Sequence, residues 1–89
     1  MTEYSKITSN LETQLINKAN QFLPDGTNGN IKVGDHQTFL VQKGLGSKIW
    51  DVSGNEYIDW LMGSGPMVLG HAFPSVIEAV IKAVESGST

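Results

Sequence analysis

Apolar positions recur along this 89-residue chain in two rhythms, and each rhythm predicts a different kind of element. In SNLETQLINKANQFLP, Leu11, Leu15, Ala19 and Phe22 fall at spacings of four, four and three, on one face of a helix. Ser9 with Glu12 three residues on has the form of a capping box, and Pro24 supplies a stop. Residues 1–8 read as a loose tail. The same rhythm returns in PSVIEAVIKAVESG. There Val76, Ile77, Val80, Ile81 and Val84 form an apolar stripe opposite Ser75, Glu78, Lys82 and Glu85. Glu78 and Lys82 make a favourable i,i+4 pair, and Gly87 is a natural C-cap. Between the helices the period shortens to two. TFLVQK, SKIWDV and EYIDW predict three short strands, joined through GLG and through a tight SGN hairpin into an antiparallel meander. Their aromatic side chains are expected to pack rather than to hold a ligand.

Two glycine-rich stretches interrupt these rhythms. DGTNGNIKVGDHQ, residues 25–37, reads as a long loop of the kind that serves as a binding element or a linker. It is not a phosphate-binding Walker loop, because no Gly-Lys-Ser/Thr follows, and its glycine spacing fits no dinucleotide fingerprint. The second, GSGPMVLGHAFPSVIEAV from residue 63, is an uncharged turn that runs straight into the last helix.

Composition narrows the function classes. The chain is one domain at most, and at this length folding buries only about 60% of the surface of the unfolded chain. Six lysines, no arginine and a net charge of −3 argue against a nucleic-acid surface. There is no cysteine to staple the fold or bind metal. No run approaches the ~18 apolar residues of a membrane span, and the N-terminus is too polar for a signal peptide. A soluble cytoplasmic protein without nucleic-acid or membrane partners is the expectation.

Residue by residue, no complete active site emerges. His36 and His71 are far apart, with no cysteine or carboxylate at ligand spacing, so no metal site is expected. Ser64 lies between glycines, but GSGP is not the nucleophile elbow and no acid–histidine pair follows it in order. Asp51 and Asp59, on adjacent predicted strands, form either a carboxylate pair or simply solvent-facing or turn-capping aspartates.

The run GLGSKIWDVSGNEYIDWLMGSGPMVLGHAFPSVIEAV, residues 44–80, resembles the N-terminal segment of the class III, pyridoxal-phosphate-dependent aminotransferases. That family carries Gly-x-Gly, then Trp-Asp-Val-Asp-Gly-Asn-x-Tyr-Ile-Asp, then a glycine-rich turn ending in Leu-Gly-His-x-x-Pro. The chain is most similar to the glutamate-semialdehyde aminomutase branch, through Leu23-Pro24-Asp25-Gly26, Gly65-Pro66 and Gly70-His71. The resemblance covers about residues 9–89.

The resemblance implies an α+β piece: helix, three-stranded antiparallel meander, glycine-rich turn and helix, as the N-terminal part of a fold-type I transferase. Residues 9–89 are then an N-terminal lobe without the large cofactor domain. It implies that the turn lines the substrate end of the cofactor pocket, with Lys32, Ser64 and Gly65 as substrate-binding residues. The Schiff-base lysine, the aspartate facing the pyridine nitrogen and the phosphate cradle come later in that family's chains. No catalytic or cofactor-binding residue is therefore assigned here, and no cofactor is expected on this chain alone. The remainder of the aminotransferase chain is the implied partner, with a homodimer as the complete enzyme. A truncated, split or deliberately shortened chain fits equally. Several positions depart from the family pattern: Ser53 replaces an aspartate, Asp25 a glycine, Lys32 a carboxylate-gripping arginine and Ser64 a tryptophan. The last two argue against glutamate semialdehyde as substrate, because lysine lacks arginine's bidentate fork. Apart from the resemblance, a small standalone interaction module using its exposed helix stripe remains an alternative.

Overall fold

The computed structural model describes residues 7–27 and 39–87. Helix α1 spans Asn10–Phe22 and ends against a short 3₁₀ turn at Pro24–Gly26. Strands β1 (Val41–Leu45), β2 (Lys48–Asp51) and β3 (Glu56–Ile58) form an antiparallel sheet in the order β1-β2-β3. A left-handed turn at Met62–Ser64 precedes helix α2, Pro74–Glu85. This is the predicted α+β order of helix, meander, glycine-rich turn and helix.

The capping box is only half present. Ser9 Oγ accepts the amide of Glu12 at 3.2 Å, as expected of an N-cap. The Glu12 carboxylate does not turn back to Ser9. It accepts the Leu40 amide at 3.0 Å and the Ser53 hydroxyl at 2.9 Å, while the Ser9 amide donates to Ser53 Oγ at 2.8 Å. Glu12 is thereby fully buried and ties α1 to the start of β1 and the β2–β3 turn.

That tie also explains why β1 begins three residues later than the predicted TFLVQK. With its amide given to Glu12, Leu40 joins the sheet region only through its carbonyl, which accepts Val52 N at 2.9 Å. Phe39 instead stacks on Tyr57, with ring centroids 4.7 Å apart. At its other end β1 runs through Gly44 and Leu45, which the strand period assigns to the connection. Leu45 pairs with Lys48, so only Gly46 and Ser47 turn the chain, and a register shift between Val41 and Lys43 absorbs the difference. The hairpin forms one residue earlier than SGN: Gly54 takes φ 91° and donates to Asp51 O, Asn55 O accepts Asp51 N, and the turn is Val52, Ser53 and Gly54.

Burial is inverted from that of a self-sufficient domain. Among the described residues, Ile49 is the one buried apolar side chain, while Glu12 and Asp51 are fully buried. Asp51 accepts the Tyr57 hydroxyl at 2.8 Å and both the amide and side-chain nitrogens of Asn55. The α2 stripe, expected to seek the meander, packs on no other described element: Val76, Ile77, Val80, Ile81 and Val84 are all exposed. No helix among the described residues is long and apolar enough to cross a membrane.

Candidate functional site

The chemistry-bearing residues converge on the loop from Asp59 to His71. β3 ends at Ile58 because the next residue redirects the chain. Asp59 N still donates to Ser47 O at 2.8 Å, but its carboxylate folds over the following backbone. Oδ1 accepts the amides of Leu61 and Met62 at 2.9 and 3.0 Å, and so starts a left-handed turn. Met62, Gly63, Ser64 and Gly65 follow with φ of 48°, 65°, 68° and 111°. Left-handed backbone costs a residue with a β-carbon about 1–2 kcal/mol, so Met62 and Ser64 hold stored strain. Such strain persists only where the surroundings fix it.

What fixes it is the far end of the loop. His71 forms an isolated antiparallel bridge with Gly46, exchanging both amide-to-carbonyl bonds at 2.9 Å. Its side-chain Nε2 meets Asp59 Oδ2 at 2.6 Å. Gly44 and Gly70 are small for a reason of space. A Cβ on Gly70 would lie 2.9 Å from Gly46 O, and one on Gly44 would lie 2.6 Å from the His71 ring. Gly44-Leu45-Gly46 and Gly70-His71 are therefore two halves of one docking contact.

This geometry corrects the sequence reading at one point and decides between its two alternatives at another. A carboxylate does lie beside His71, twelve residues earlier in the chain, a pairing that ligand spacing along the sequence does not show. Asp51 and Asp59 are not a carboxylate pair, because they sit at opposite ends of the β2–β3 hairpin. Asp51 is beside the turn that leads to Asn55, and Asp59 is beside Ser47. The Met62 amide and then His71 hold the Asp59 carboxyl below its ordinary range. No hydrogen bond joins Ser64 to His71 among the described residues, so the three do not form a nucleophile–base–acid relay. Ser64 and Gly65 stand together at the exposed tip of the loop. Lys32 lies outside the described residues, as does His36. Among those described, no three His, Asp or Glu side chains cluster as a metal site.

A groove of about 540 Å³ opens elsewhere, between α1 and the start of the sheet, walled by Leu15, Phe22, Leu23, Leu40, Val41 and Val52 with Lys18 as its charged member. Pyridoxal phosphate requires an amine for its aldehyde and several donors for a phosphate dianion. Apolar walls with one lysine do not supply them, so this groove does not fit the cofactor by itself.

The family model described as aminotransferase class III matches residues 31–89. The glutamate-1-semialdehyde 2,1-aminomutase of Thermodesulfovibrio yellowstonii is 44% identical over 80 residues, which is 85% of this chain and 18% of that protein. Among solved structures, a transaminase with PLP bound is 28% identical with a TM-score of 0.81, over 94% of this chain and 20% of that one. An omega-transaminase from Sphaerobacter thermophilus is also 28% identical, with a TM-score of 0.76 over 85% of this chain and 17% of its own. The chain thus spans about a fifth of the length of the proteins it matches, and it corresponds to their N-terminal part.

Proposed function

Because the chain belongs to the class III aminotransferases, we propose that its glycine-rich loop forms part of the substrate side of an active site completed by the remainder of an enzyme chain. The complete enzyme transfers an amino group on an amino acid or amino-ketone, with pyridoxal 5'-phosphate held by residues outside this segment. Residues 9–89 act as its N-terminal lobe and residues 1–8 as a tail. The working unit is a cytoplasmic homodimer. Ser64 and Gly65 approach the substrate, and Lys32 meets its carboxylate.

The observation that carries this reading is the loop itself. Four successive left-handed residues with small or flexible side chains are held at the exposed tip of a clamped turn. Backbone in that state lets a ligand come close, and strain of this kind gathers at functional sites. The bare stripe of α2 supports the need for further chain, since Val76, Ile77, Val80, Ile81 and Val84 have no cover here. A standalone interaction module could use the same stripe, but it gives no account of the strained loop.

Two substitutions in the complete enzyme test the reading. Ser64→Phe adds bulk at a left-handed position that already carries a β-carbon. It should raise KM for the amino substrate while the cofactor's absorption band stays unchanged. Lys32→Ala removes a charge-assisted contact of about 1.5–3 kcal/mol, so KM for carboxylate-bearing donors should rise roughly tenfold or more. Unaltered kinetics across a panel of such donors would return Lys32 to solvent.

A further inference from the structure

We infer that Asp59 and His71 are positioning residues that act as one unit: they hold the loop bearing Ser64 and Gly65 against the β1–β2 turn and thereby set the enzyme's affinity for its amino substrate. The inference rests on the reading that this loop faces the substrate.

Both ends of the loop are tied to the same two-residue turn. Asp59 N donates to Ser47 O at 2.8 Å, and His71 exchanges two backbone bonds with Gly46 at 2.9 Å. One carboxylate then joins entry to exit. Its Oδ1 takes the amides of Leu61 and Met62, and its Oδ2 takes His71 Nε2 at 2.6 Å. The pair is sheltered, with side-chain exposures of 13% for Asp59 and 20% for His71, so water competes little for these bonds.

Little else among the described residues holds the loop in place. Of its apolar side chains, Trp60 is 89% exposed and Val68 86%, Leu61 and Leu69 are also exposed, and only Met62 and Met67 are half-buried. Its remaining backbone bonds are local, running from Ser64 to Leu61, Gly65 to Met62, Met67 to Met62, Val68 to Pro66 and Gly70 to Met67. Local bonds shape a loop but do not aim it. Aim comes from the clamp, and the clamp is aimed by β1, because the His71 ring rests where Gly44 leaves room.

The test is steady-state kinetics of the complete enzyme carrying Asp59→Ala, His71→Ala, the double substitution and His71→Gln. A displacement of the order of 1 Å in a positioning element costs about 10²-fold, so each single alanine variant should raise KM for the amino substrate at least tenfold. Cofactor affinity should stay the same. A merely structural role would lower the active fraction, and so kcat, with KM unmoved. If the two residues act as one unit, the double variant should be no worse than the poorer single variant. Glutamine should recover part of the loss, since its amide can donate to Asp59. Should an alanine variant fail to fold, Asp59→Asn keeps an acceptor for the Leu61 and Met62 amides while removing the charge facing His71, and its KM decides the matter. Unchanged KM in the folded variants, or strictly additive effects, overturns the inference. If Ser64→Phe raises KM while the clamp variants do not, only this inference falls. If Ser64→Phe also leaves KM unchanged, the substrate-facing reading falls with it.

Discussion

His71 packs so closely on Gly44 that a β-carbon there would sit 2.6 Å from the imidazole Cγ and 2.9 Å from the histidine's own Cβ. These are atoms at the root of the side chain, so no rotation of a flexible end relieves the contact. Gly44→Ala must shift either β1 or the Gly46–His71 bridge, and overpacking of this kind costs about 1–3 kcal/mol. In the complete enzyme the substitution should lower unfolding stability by that amount. Adding His71→Ala should recover part of the loss, because it removes the ring atoms at 2.6 and 2.8 Å and leaves only the Cβ contact at 2.9 Å. Equal losses with and without the imidazole would show that the contact is not the cause.

The clamp should also fail in acid, with a definite sign. The Asp59 carboxyl is held below its ordinary value of 3.8 by the Met62 amide first and His71 second, against a smaller opposing effect of burial. A group whose pKa is depressed in the folded state stabilises fully above its unfolded pKa and loses that contribution as pH falls through its folded pKa. The stability gap between wild type and Asp59→Asn should therefore narrow as the pH falls below about 3.8. Equilibrium unfolding of both proteins at a series of acid pH values measures it. A gap independent of pH would remove the carboxylate's charge from the account.

What could be read in the sequence and what could not divide by distance along the chain. Ser9, Pro24, Gly54 and Gly87 act on their immediate neighbours, and each does what its local chemistry predicts. For Glu12 the spacing gives the place and not the partner. Its carboxylate chose the Leu40 amide, 28 residues away, because the N-cap amide it would otherwise have taken was already given to Ser53. The Asp59–His71 pair was hidden for a related reason. It depends on Gly46 bridging His71, hence on where the β1–β2 turn falls, and strand period alone left that turn one residue too long. The α2 stripe was legible as apolar, but periodicity cannot say what covers a face. The loop strain at Met62 and Ser64 had no signal at all, since neither residue favours positive φ.

The 89-residue chain by itself should lack a cooperative thermal transition and should self-associate. Ile49 is the single buried apolar side chain among the described residues, whereas Phe22, Val41, Trp60 and the α2 stripe are exposed. Without a dry core there is little to set against the conformational entropy of the ordered chain. Calorimetry with light scattering tests this. A sharp transition from a clean monomer would mean the chain needs no cover.

The docking of α1 supplies a prediction that separates hydrogen bonding from charge. Glu12 is fully buried and satisfies two donors on other elements, the Leu40 amide at 3.0 Å and the Ser53 hydroxyl at 2.9 Å. Glu12→Ala leaves the Leu40 amide without that acceptor in a sheltered place, at a cost of about 1–3 kcal/mol. Glu12→Gln is a gentler change, and the reason lies in its partners. The glutamine oxygen can face Leu40, whose amide can only donate, while its NH₂ faces Ser53, whose hydroxyl oxygen can accept. Amide exchange along α1 in the complete enzyme should therefore rise strongly in Glu12→Ala and only slightly in Glu12→Gln. Equal acceleration in both would mean that the negative charge of Glu12 itself, rather than its two acceptor oxygens, fastens the helix to the sheet.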